Sequence, residues 1–89
     1  MNALEVAQAV AESKIELCAF PSTIKSGEYV VEPLGYPDLG ENVPGAFILD
    51  VFTASTIVRL HKRLNEQNRA IMEALPLPKM AAVALMVVL

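Results

Sequence analysis

The sequence predicts a small α+β domain spanning residues 1–89. An N-terminal helix is followed by a small antiparallel β-sheet of two or three strands. Two or three C-terminal helices then pack on one face of that sheet. Three observations lead there. A helix-capping pattern opens a stripe of small apolar residues at the N-terminus. Two short apolar, β-rich runs flank a segment dense in proline and glycine. After residue 53 the apolar positions recur at helical spacing.

Asn2 followed by Glu5 has the spacing of a capping box, in which each side chain satisfies the other residue's backbone N–H. Ala3, Val6, Ala7 and Val10 then share one helical face, with Glu5, Gln8 and Glu12 away from it. A helix over about residues 3–14 follows, with small residues that permit close packing. Residues 15–20 fit either an extension of that helix or a short strand, and Pro21 ends both. Ser22, Thr23, Ser26 and Gly27 supply turn chemistry. Residues 28–32, Glu-Tyr-Val-Val-Glu, have strand composition, and Pro33 closes them.

Residues 33–45 hold three prolines and three glycines and read as a long loop. Residues 46–50 return as an apolar strand, placed to pair antiparallel with 28–32 across that loop. Thr53 is the better N-cap for the next helix, 53–64, whose buried stripe is Ala54, Ile57, Val58 and Leu64, helped by Leu60. Asn65 breaks the run and caps a second helix over 66–75, with Ile71, Met72 and Leu75 facing inward. Pro76 stops it, and Pro78 suits the first turn of a last helix over about 78–88. A strand over 83–89 is the alternative, because Val83, Val87 and Val88 are β-branched.

Composition narrows the function. Hydrophobic residues make up 54% of the chain and charged residues 19%, so a lone copy has difficulty hiding its apolar side chains. The demand is sharpest in residues 80–89, which carry no charged or hydrogen-bonding side chain. Ten residues are too few to span a membrane, which takes roughly 20, and no secretory signal is evident. The expectation is a cytoplasmic protein that buries this segment in its own core or in a homodimer. Met80, Leu85, Val88 and Leu89 are the self-association candidates. The single cysteine, Cys18, excludes an intramolecular disulfide and reads as a buried, inert thiol.

Charge is divided along the chain. Residues 1–52 carry eight acids against two lysines, whereas residues 53–89 carry five cations against two acids. Arg59, Lys62, Arg63 and Arg69 form the basic set, with His61 among them. Phosphate neutralisation by such a set is how nucleic-acid binders gain affinity. The whole chain, however, is acidic, with a pI of about 5.0, and a charge run on a helix is ordinarily a solvated face.

Catalytic and metal chemistry find little support. One Cys and one His cannot form a Cys/His zinc site, and the carboxylates are scattered. Cys18 and His61 form a nucleophile–base pair only if a third group orients them, and no spacing indicates one. Gly35 and Gly40 have phosphate-loop spacing, but Glu41 stands where lysine is required. No cofactor motif is present. The loop is better read as a protein contact through Tyr36, Asp38, Leu39 and Glu41.

The expected function is therefore a non-enzymatic protein-binding module: a small inhibitor, adaptor or assembly subunit that occupies a protein partner. Small size alone also fits a phage or mobile-element accessory protein. The alternative is a nucleic-acid-binding transcriptional regulator that uses helix 53–64.

Overall fold

The computed structural model describes residues 1–33 and 45–88, the side chain of Val88 excepted. Their order is α1 (Ala3–Ser13), β1 (Leu17–Pro21), β2 (Tyr29–Pro33), β3 (Phe47–Leu49), α2 (Val51–Arg63), α3 (Glu66–Glu73) and α4 (Leu77–Val88). This is the expected α+β architecture, with three strands and three C-terminal helices.

The capping box forms as its spacing requires. The Glu5 N–H donates to Asn2 Oδ1 at 2.8 Å, and the Asn2 N–H donates to Glu5 Oε1 at 2.9 Å. Ala3, Val6, Ala7 and Val10 are buried along α1. Lys14 ends the helix with a left-handed backbone, φ 61°. That reversal frees residues 17–21 to become β1, which settles the ambiguous segment as strand.

Strand order is β2-β1-β3, antiparallel throughout. The expected direct pairing of residues 28–32 with 46–50 does not occur: β1 lies between them. The reason is local. Ser22 Oγ accepts from the Ile24 and Lys25 N–H groups, both at 3.1 Å. Gly27 adopts φ 82°, which disfavours any side chain. This tight turn folds β2 back on β1 before residues 46–50 are reached. They then take the remaining edge, where Phe47 meets Ala19 and Leu49 meets Leu17. At the entry to β3, Gly45 has φ 81°, and an added Cβ would sit 3.1 Å from Pro21 Cγ.

Alternation along the strands divides the sheet. Leu17, Ala19, Tyr29, Val31, Phe47 and Leu49 face the helices and join the core of α1, α2, α3 and α4. Cys18, Phe20, Val30, Glu32 and Ile48 fall on the other face.

Two further points differ from the sequence reading. The N-cap of α2 is Asp50, whose Oδ1 accepts from the Thr53 N–H at 2.6 Å. Thr53 is three residues into the cap motif and buried. An ionised carboxylate at a helix N-terminus also meets the helix dipole, which a threonine does not. Ile71, read as inward, is 60% exposed, whereas Met72 is buried.

At the far end of the chain, the Leu77 N–H donates to the Tyr29 hydroxyl at 2.9 Å. One of the free N–H groups that open α4 is thus satisfied by the sheet edge. Leu77, Met80, Ala81 and Ala84 then bury one stripe of α4 in the core. Residues 83–88 are helical, so the strand alternative does not hold. Among the described residues, no helix is long and apolar enough to cross a membrane.

Candidate functional site

The other side of α4 has no such cover. Val83 is 40% exposed, Val87 63% and Met86 77%. Val83 and Val87, four residues apart, lie on the same side of the helix. Leu60 on α2 and Leu64, the extended C-cap of that helix, form a second wall, and Asn68, Ile71 and Met72 on α3 close the third side, with Leu75 beyond it. Together they enclose an open groove of about 420 Å³. Among the described residues, Asn68 is its one polar lining residue.

The groove continues toward a second hollow of about 290 Å³ that shares Leu60 and Val87 with it. Its remaining lining residues are Arg59 and Arg63. These arginines stand one position before Leu60 and Leu64, so helical spacing sets a cationic stripe directly beside the apolar one. Both are exposed. Neither is salt-bridged among the described residues.

The fourth member of the basic set has a different task. Arg69 Nε donates to the His61 carbonyl at 2.9 Å, and its Nη2 donates to the Lys62 carbonyl at 2.8 Å. It donates to carbonyls of the last turn of α2, of which the His61 carbonyl also accepts from the Leu64 N–H at 3.3 Å. His61 Nε2 lies 3.2 Å from Glu73 Oε2, which ties α2 to the end of α3. The four cations thus separate into Arg69, engaged with backbone, and Arg59, Lys62 and Arg63, which face solvent.

Of the self-association candidates, Met80 is fully buried in the core of its own chain and offers no surface. Leu85 is half-buried. The side chain of Val88, and Leu89, lie outside the described residues, as do the loop residues Tyr36, Asp38, Leu39 and Glu41. Among the described side chains of α4, Val83, Met86 and Val87 are the large apolar ones exposed to water. The signal legible in the sequence was a helix apolar on all sides; which of its residues meet water required the tertiary structure.

Cys18 and His61 are not brought together. Cys18 belongs to the sheet face turned away from the helices, and His61 belongs to the helical layer. Burial pushes the Cys18 thiol pKa up, and the negative charge of Glu32, its cross-strand neighbour, pushes it further. A reactive cysteine needs the opposite shift. Glu32 has one carboxylate oxygen shielded from water and without a hydrogen-bond partner among the described residues. At the other end of the sheet, the Met1 ammonium lies 2.9 Å from Glu28 and holds that carboxyl below its ordinary range. Among the described residues, no group of three or more His, Cys, Asp or Glu side chains is placed to hold a metal ion.

Comparison with protein-family models, curated proteins and solved structures gave no match.

Proposed function

We propose that this chain is a non-enzymatic protein-binding module that acts by occupying a partner at the groove between α2, α3 and α4. One observation carries this role: Ile71, Val83 and Val87 hold apolar surface in water at a single concave site. Scattered exposed apolar residues are ordinary, whereas a converging set marks a contact surface. Inhibitor, adaptor and assembly subunit are all forms of this role, and a cytoplasmic location is part of the proposal. Nucleic-acid binding is the weaker alternative, since it would rest on Arg59, Lys62 and Arg63 without Arg69.

The test is capture from the source cell lysate at moderate salt, with and without nuclease. Three tagged chains are compared: the wild type, Ile71→Asp/Val87→Asp in the groove, and Val30→Lys on the opposite sheet face. The expected result is a stoichiometric protein band with the wild type and Val30→Lys that the groove variant loses. A band retained by a folded groove variant would contradict the assignment. A catch abolished by nuclease would move the function to the basic helix.

A further inference from the structure

We infer that the groove's occupant is an amphipathic helix of a protein partner, with its apolar stripe in the groove and acidic residues along the flank that meets Arg59 and Arg63. This rests on the binding role proposed above and adds the chemistry of the partner.

Shape is the first argument. The walls carry apolar pairs at i, i+4 spacing, Leu60 with Leu64 and Val83 with Val87. Val83 and Val87 extend about 6 Å along α4, while Leu64 continues its wall past the end of α2 as the extended C-cap. Such a trough is complementary to another helix that presents side chains at i, i+3, i+4 and i+7. A small ligand has most of its surface, roughly 70–90%, enclosed when bound. Here Ile71 and Val87 remain 60% and 63% exposed, so the groove is open along its length and suits a longer, continuous partner.

Charge is the second argument. Two cations, Arg59 and Arg63, line the adjoining hollow together with Leu60 and Val87. An apolar helix without acids would leave two guanidinium groups beside a newly dried contact, partly desolvated and unpaired. Carboxylates on the helix flank remove that penalty, and arginine can bind them with two parallel hydrogen bonds. A second copy of this chain supplies no such partner through α4. The only charged residue of α4 is Lys79, so pairing α4 with α4 adds a cation and no acid.

The discriminating probe is a pair of synthetic helical peptides of roughly 18 residues. They share one leucine stripe and differ only in flanking residues, glutamate in one and lysine in the other. Binding to the full chain is measured by fluorescence anisotropy at low and moderate salt. The net charge of the chain is −3, so its overall field favours the lysine peptide. The expected result is the reverse: the glutamate peptide binds about ten-fold more tightly, with the preference shrinking as salt rises. Arg59→Glu/Arg63→Glu, two exposed positions, should invert the preference while the circular dichroism spectrum is unchanged.

Equal binding by both peptides would overturn the acidic-partner inference and leave the groove as a binding site. Displacement of the glutamate peptide by laurate would overturn it in favour of an anionic lipid. Failure of both peptides, with a sedimenting dimer that Ile71→Ser/Val87→Ser dissociates, would assign the groove to a second copy. Failure of both with a monomeric chain would overturn the helical partner, and the lysate comparison would decide the groove separately.

Discussion

Helices α1 and α4 have nearly the same length, 11 and 12 residues, and bury comparable stripes. Ala3, Val6, Ala7 and Val10 on α1 correspond to Leu77, Met80, Ala81 and Ala84 on α4. They differ on the far side. Around α1, Glu5, Gln8 and Glu12 meet water, as an amphipathic surface helix requires. Around α4, Val83, Met86 and Val87 meet water in their place. The first helix is completed by its own fold. The second carries apolar surface beyond what the core takes up, and that excess adjoins apolar residues of α2 and α3.

The sharpest way to break this comparison is to truncate both sides of α4. Met80→Ala should cost about 2–5 kcal/mol, because it empties a fully buried position. Urea unfolding reads this directly, and a loss below about 1 kcal/mol would show that the inner stripe is not core. A smaller effect is expected where α4 begins. Tyr29→Phe removes the acceptor of the partly buried Leu77 N–H, and a destabilisation of about 1–3 kcal/mol should follow. If the midpoint does not move, water or another group satisfies that N–H. The smallest effect belongs to the outer side. Val87→Ser should change stability by no more than about 0.5 kcal/mol, as for an ordinary surface position. A large loss there would return Val87 to the core.

Local features of the fold were legible in the sequence. Asn2 with Glu5 and Asn65 cap their helices as read, because a cap depends on residues three positions apart. The cap of α2 was misplaced by three residues, since Asp50 and Thr53 are both capping residue types and only the structure shows which one accepts. Strand order was not legible. Residues 28–32 and 46–50 each have a strand pattern, but neither pattern encodes that β1 separates them. That outcome depends on the turn at residues 22–28, which commits β1 to β2 first.

The site was legible only in part. The excess of apolar residues near the C-terminus announced a surface to be covered. Its location required tertiary structure, because periodicity groups residues on a face without telling what lies opposite. Ile71 shows the limit. It neighbours Met72 on α3, yet Met72 is buried in the core whereas Ile71 is 60% exposed. The basic set shows a second limit. Arg69 resembles Arg59 and Arg63 in sequence, and only its bonds to the carbonyls of His61 and Lys62 separate it from them.

The central claim is that α2, α3 and α4 form a docking groove. Its most direct test is methyl NMR of the full chain titrated with the glutamate-flanked helical peptide. The largest shifts should fall on the methyls of Leu60, Leu64, Ile71, Val83 and Val87, while those of Val6 and Val10 under α1 stay in place. Peptide binding with shifts confined to Val30 and Ile48 on the far sheet face, and the groove methyls unmoved, would contradict it.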